Sequence, residues 1–112
     1  MNNTSSPIRQ ISPKDLKKRL DAGEKIPLID VREQAEREIA TLGGELIPMD
    51  TVLDNLSKIP REGDVVIYCR SGGRSGQVVA GLQAHCGYTN LINLEGGILR
   101  WSDEVDDSVQ KY

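Results

Sequence analysis

Phenylalanine is absent from this chain, and one tryptophan and three tyrosines bring the aromatic share to only 4%. Stacked rings therefore cannot build its core, and Leu, Ile and Val have to supply the buried surface. Histidine occurs once and cysteine twice, one soft ligand short of the closed four-ligand set of a structural zinc site. No apolar run approaches the roughly 20 residues that a bilayer-spanning helix needs. The opening "MNNTSSPIRQ" lacks the apolar stretch of a secretory leader. Excess charge is lacking too: a net charge of -3 offers no general attraction to nucleic acid or to an anionic membrane. The expectation is a cytoplasmic protein with no nucleic-acid, membrane or metal partner. The sequons at Asn2 and Asn3 are then without consequence, since glycosylation requires secretion.

What remains is an ordinary globular balance, 38% hydrophobic and 28% charged over 112 residues, enough for one domain and too short for two. The pattern alternates strand and helix. Ser12-Pro13-Lys14-Asp15 opens a helix, with Ser12 as cap, Pro13 at the first position and Asp15 at the positive end. "IPLIDV" (26–31) is a short strand, and "REQAEREIA" a charged helix. "ELIPM" is a further strand, and Asp50 is placed to cap "TVLDNLSKI", whose Val52, Leu53, Leu56 and Ile59 have helical spacing. After the turn "PREGD" comes the apolar strand Val65-Val66-Ile67-Tyr68, then a small-residue helix from Gly76 to about His85. "NLINL" is the last strand and "GGILRW" a final helical turn. Strands separated by helices predict an α/β fold, a mainly parallel sheet with helices on both faces. We expect a flexible segment over residues 1–9, one domain over 10–104 and a solvated acidic tail over 105–112.

Cys69 and Cys86 lie before and after the predicted helix. A helix of about eleven residues is on the order of 16 Å long, whereas bridged Cα atoms lie within about 7 Å, so no disulfide is expected. Cys86 reads as a small apolar filler, and His85 suits the negative end of the helix dipole.

The chemistry points to the loop that follows Cys69. In a parallel sheet, ligands bind beyond the carboxyl ends of the strands, where loops meet helix N-termini. Ser71, Gly72 and Gly73 leave their backbone amides accessible, so the loop can aim several N–H groups at one point. The positive end of the next helix adds to that field, and Arg70 and Arg74 add charge if they turn inward. All of this stabilises a thiolate at Cys69, a nucleophile with an anion site attached. Cysteine at a strand end is otherwise often inert, and Gly-Gly alone only shapes a turn.

The stretch "CRSGGRS" (69–75) resembles the active-site loop of single-domain rhodanese-like sulfurtransferases. "LIDVRE" (28–33) is similar to that family's first strand motif, and "NLEGGILRW" (93–101) to its C-terminal signature. The finish "GGILRWSDEVDDSVQKY" also resembles the rhodanese domain fused to MoeB/ThiF-type adenylyltransferases, which pass sulfur to carrier proteins. The resemblance implies a rhodanese-like fold and transfer of sulfane sulfur from an anionic donor such as thiosulfate. Cys69 would carry the sulfur as a persulfide, Arg70, Ser71, Gly72, Gly73, Arg74 and Ser75 would bind the substrate, and no cofactor or metal would be required. A thiol or a sulfur-carrier protein would accept the sulfur. Asp30 and Arg32 are expected to hydrogen-bond beneath the loop, Gly96 and Gly97 to allow close backbone approach, and Trp101 to join the core. The chain departs from the family where an aromatic residue and His-Ile-Pro-Gly-Ala are common: Arg37, Thr41, Gly43 and Glu45 stand there, which bears on local rigidity. Two other readings are open. A Cys-based phosphatase or arsenate reductase uses a Cys-x5-Arg loop, one residue longer than the Cys-x4-Arg found here. A rhodanese-like redox sensor or partner-binding module would keep the same reactive thiol.

Overall fold

The run Val65-Val66-Ile67-Tyr68 is buried at every position. Successive side chains of a strand point to opposite faces, so such a strand needs cover on both sides. Val65 and Ile67 enter one apolar cluster with Val78, Val79 and Leu82, and Val66 and Tyr68 enter a second with Leu16 and Leu94.

The computed structural model, which describes residues 7–112, builds this from five strands. They are β1 (Arg9–Ile11), β2 (Leu28–Asp30), β3 (Glu45–Leu46), β4 (Val65–Tyr68) and β5 (Leu91–Leu94). Every pairing is parallel, and the order across the sheet is β1-β5-β4-β2-β3. Four α-helices accompany them: α1 (Pro13–Asp21), α2 (Gln34–Ile39), α3 (Gly73–Cys86) and α4 (Gly97–Glu104), with a 3-10 segment over Met49–Lys58. Side chains of α3 and the 3-10 segment fill the first cluster, while Leu16 of α1 and Trp101 of α4 cover the second. The expected α/β sheet, helix-covered on both faces, is what forms.

Several details differ from the sequence expectation. Residues 7–9 belong to the fold: Ile8 packs on the core and Arg9 opens β1, in register with Ile92 of β5. Residues 1–6, with the two sequons, lie outside the described residues. Asp50 does not cap its helix: the segment begins at Met49 after Pro48, and no side chain caps it. Leu53, expected on the buried face, is 70% exposed. The cause is local. Asn55 Nδ2 donates to the Thr51 carbonyl at 2.8 Å, taking the acceptor that an α-helical amide would use, and Asn55 itself leaves helical geometry. The acidic tail is only partly solvated: Ser102 Oγ donates to the Val109 carbonyl at 2.6 Å, and Tyr112 is half-buried.

The order of strands positions the site. After β2 the chain turns outward to β3, whereas after β4 it turns the other way to β5. The loops leaving these neighbouring strands diverge, which opens a crevice at their carboxyl ends. Cys69 follows β4 into that crevice. The first turn of α4 backs onto it: Ile98 N–H donates to the Cys69 carbonyl at 3.0 Å and Leu99 N–H to the Arg70 carbonyl at 3.1 Å. Gly97 makes the approach possible. Its φ is +63°, and a β-carbon there would lie 2.6 Å from the Cys69 carbonyl oxygen. Gly97→Ala should therefore lower the unfolding free energy by roughly 2–4 kcal/mol, the sum of overpacking and backbone strain, as read from a urea titration.

Candidate active site

Cys69 prolongs the inward face of β4, packed in the same cluster as Ile67 and Val79, and is 1% exposed. Burial by itself pushes a thiol up, because it penalises the charged form. Here that push is outweighed by donors. Ser75 supplies its hydroxyl at 3.3 Å from the sulfur and its N–H at 3.4 Å, and the Gly72 N–H stands at 3.2 Å. The Ser71 amide adds to them, and the thiol ends below its ordinary value of 9.0.

These amides are free because of where α3 begins. The helix starts at Gly73, not at Gly76 as expected, and Gly72 caps it in the left-handed region with φ 101°. The first amides of a helix have no intrahelical acceptor, so the Ser75 N–H takes the sulfur instead. A side chain at Gly72 would be strained, whereas one at Gly73 would meet open space. Of the two glycines, only the first is required by the backbone.

Ser75 is itself held. Its hydroxyl lies 2.5 Å from Asn93 Oδ1, and Asn93 Nδ2 donates to Gln10 Oε1 at 3.0 Å and to the Gly72 carbonyl at 3.3 Å. Asn93 is 3% exposed and ties the cap of α3 to its first turn from the neighbouring strand. A hydroxyl has one proton, so Ser75 serves Asn93 or the sulfur, and ionisation of Cys69 draws that proton toward the sulfur.

The two loop arginines are engaged within the molecule. Arg74 forms a fork on Glu36, with Nη1 to Oε2 at 2.7 Å and Nη2 to Oε1 at 2.8 Å. Arg70 donates through Nε and Nη2 to the Tyr112 backbone oxygen, the first at 2.6 Å, and lies over the Tyr112 ring. Glu36 also accepts the Glu33 N–H at 3.0 Å and the Tyr112 hydroxyl at 2.9 Å. The Arg74 guanidinium, first among these, outweighs partial burial and holds the Glu36 carboxyl at about 2. Ser71 lies exposed at the mouth of the loop.

Asp30 and Arg32 are fully buried and pair through two bonds of 2.9 and 2.8 Å. Arg32 continues to the Ala40 carbonyl and to the Tyr112 hydroxyl, each at 2.8 Å. The pair thus anchors α2, which presents Glu36, and the returning C-terminal segment. The stretch that departs from the family pattern closes differently. The Tyr68 hydroxyl donates to the Gly43 carbonyl at 2.8 Å and accepts the Leu42 N–H at 3.2 Å, while Thr41 Oγ accepts the Gly43 N–H at 2.9 Å. Arg37 reaches the Gly44 carbonyl at 2.6 Å.

Of the six loop residues named from the sequence, Gly72, Ser75 and Ser71 act on the sulfur through their own donors, whereas Arg70, Gly73 and Arg74 make no hydrogen bond to it. Sequence reasoning missed Glu36, Asn93 and Tyr112. The spacing Glu33-x-x-Glu36 carried a capping signal, and both halves of that box are formed. No local pattern announced that the same carboxylate meets Arg74. Among the described residues, no group of three or more His, Cys, Asp or Glu side chains is placed to hold a metal ion. Among the same residues no helix is long and apolar enough to cross a membrane, and both cysteines are free thiols.

Two outcomes follow from these contacts. Ser75→Ala removes one hydrogen bond to a charged sulfur, so alkylation of Cys69 by iodoacetamide at neutral pH should slow roughly tenfold, with the midpoint of its pH profile moved upward. Glu36 has a folded value near 2, below its ordinary 4.5. Its contribution to stability is present above about 4.5 and is lost as pH falls toward 2. Glu36→Gln should flatten that part of an acid-unfolding profile.

A family profile described as "Rhodanese-like domain" matches residues 12–104. A protein named "Sulfurtransferase" from Allochromatium vinosum is 40% identical over 96 residues, which cover 85% of this chain and 89% of that one. The "Probable adenylyltransferase/sulfurtransferase MoeZ" of Mycobacterium tuberculosis is 33% identical over 105 residues; the match takes in 91% of this chain but only 26% of that much longer protein. Among solved structures, a "Rhodanese-like Domain Protein" from Staphylococcus aureus superposes with a TM-score of 0.78 at 31% identity, covering 94% of this chain and 99% of its own. With the sheet order, the thiol at the end of β4 and the amides around it already in view, the match over nearly the whole chain settles its kinship: this protein belongs to the rhodanese-like family.

Proposed function

We propose that the protein is a sulfurtransferase that carries sulfane sulfur as a Cys69 persulfide. The observation that carries this reading is the set of donors from Ser71, Gly72 and Ser75 around a single buried sulfur. The Cys69 thiolate attacks the outer sulfur of an anionic donor such as thiosulfate. A sulfur–sulfur bond forms to Cys69, the bond to the sulfonate sulfur breaks, and sulfite leaves with the electron pair. The terminal persulfide sulfur is itself negative, so the same amides that hold the thiolate stabilise the product. An acceptor thiolate then attacks that outer sulfur and releases Cys69, in parallel with thiol–disulfide exchange. Loop residues Arg70 to Ser75 border the binding site, and this chain supplies the nucleophile and the amide donors, while the sulfur donor and acceptor come from outside it.

Relatives named as joint adenylyltransferases and sulfurtransferases favour a sulfur-carrier protein or a thiol as acceptor. A free reactive thiol persists in a reducing compartment, and the cytoplasm is where we place the reaction. The phosphatase reading finds no comparable support: Arg74 closes the loop one residue early, and its guanidinium is committed to Glu36.

Incubation with thiosulfate followed by intact mass spectrometry tests the proposal. One added sulfur atom on the wild type, lost on treatment with cyanide and absent from Cys69→Ala, is expected. An unmodified wild type, or an adduct that survives in the variant, would end it.

A further inference from the structure

An anion-binding loop normally offers its arginines to the incoming anion. Here neither is offered. Arg70 is spent on Tyr112, and both terminal nitrogens of Arg74 are spent on Glu36. Glu36 is braced from three sides, by Arg74, by the Glu33 amide and by the Tyr112 hydroxyl, and its carboxylate bridges the crevice between the loops that leave β2 and β4. The Arg74 cation, which couples to the charge on Cys69, is therefore matched by a fixed negative charge, and the attraction left in the loop is that of its backbone amides.

We propose that Glu36 is a specificity-determining residue: by screening Arg74 it sets the loop against doubly charged sulfur donors and in favour of donors of low charge, an alkyl hydropersulfide being the simplest. This rests on the sulfurtransferase reading above. The two reactions differ in the charge they bring together. With thiosulfate, the Cys69 thiolate and a dianion meet, the new sulfur–sulfur bond forms as the old one breaks, and the products are a persulfide anion and sulfite dianion. Three negative charges occupy the loop throughout. With a hydropersulfide R–S–S–H, the thiolate bonds to the outer sulfur, R–S⁻ leaves with the electron pair, and the proton stays on the transferred sulfur. One charge is present throughout, and the amides around Cys69 suffice for it.

Glu36→Gln keeps the shape and one of the two acceptors of the Arg74 fork while removing the charge. The test compares alkylation of Cys69 by iodoacetate, an anion, and by iodoacetamide, its neutral counterpart, with the rate at Cys69 read from peptide masses. Taking the ratio cancels any change in the ionisation of the thiol. The iodoacetate-to-iodoacetamide ratio should rise roughly tenfold in Glu36→Gln, the scale of one charge-assisted interaction. The KM for thiosulfate should fall by a similar factor with kcat within about twofold, and the KM for an alkyl hydropersulfide should stay within about twofold. An unchanged ratio in a folded variant, or equal losses with both donors, would overturn the assignment. Arg74→Gln, which leaves Glu36 unopposed, should lower the ratio, and Glu36→Gln with Arg74→Gln together should return it to within about twofold of wild type. A double variant that retains the full rise would show that Arg74 is not the group being screened, and would also overturn it. Should wild type form no persulfide from either donor, the sulfurtransferase reading fails, while the alkylation ratio still decides whether Glu36 screens Arg74.

Discussion

Two backbone hydrogen bonds from the start of α4 to the end of β4 hold the site together. A helix begins with amides that lack acceptors, and a strand running into a tight loop leaves carbonyls that lack donors. Here each need answers the other: Ile98 and Leu99 donate to the carbonyls of Cys69 and Arg70. With those carbonyls drawn toward α4, the amides that follow are left facing the sulfur. A glycine at position 97 is what lets the two backbones meet, so the cysteine end of β4 depends on a contact made about thirty residues later. The same economy recurs on the other side, where the spare amide of Ser75 at the start of α3 ends on the thiol.

The competition at Cys69 is between burial and hydrogen bonding, and hydrogen bonding wins. A helix end contributes about 0.3–1 kcal/mol to a nearby charge, whereas a bond to a charged group is worth about 1.5–3 kcal/mol. Several such bonds converge on one atom, so the amides and the Ser75 hydroxyl dominate the dipole of α3. Burial then becomes useful, because it strengthens the same bonds and keeps water from the sulfur. The arginines play a smaller part at the thiol than their number suggests, since Arg70 and Arg74 are both paired elsewhere.

Much of this was legible in the residues. The alternation of apolar runs with helical spacing gave the parallel sheet, and Ser12-Pro13 marked the start of α1 to the residue. "CRSGGRS" marked the buried thiol and the loop of donors around it, because strand, cysteine, glycines and helix follow one another with no long-range partner needed. All but one of the misses, the locally bent segment over Met49–Lys58, have a common cause. β1 is three residues long and two of them are polar, so it takes its identity from pairing with β5 rather than from its own pattern. The 3-10 turn over Met49–Lys58 hinges on one side-chain bond from Asn55 to Thr51. Glu36 meets Arg74 across 38 positions, and Tyr112 meets Glu36 across 76. Asn93 sits in an apolar strand, where its only visible feature was being polar. Contacts of that range exist only once the sheet has ordered them.

The return of the C-terminal segment has a practical side. Val109 is fastened to α4, and Tyr112 lies against Arg70, Arg32 and Glu36. Any purification handle joined after Tyr112 would start its course beside the entrance to the thiol and compete for those three side chains. At the other end of the described residues, the Pro7 carbonyl accepts from Gln83 Nε2 of α3 at 3.2 Å and from none of those three side chains.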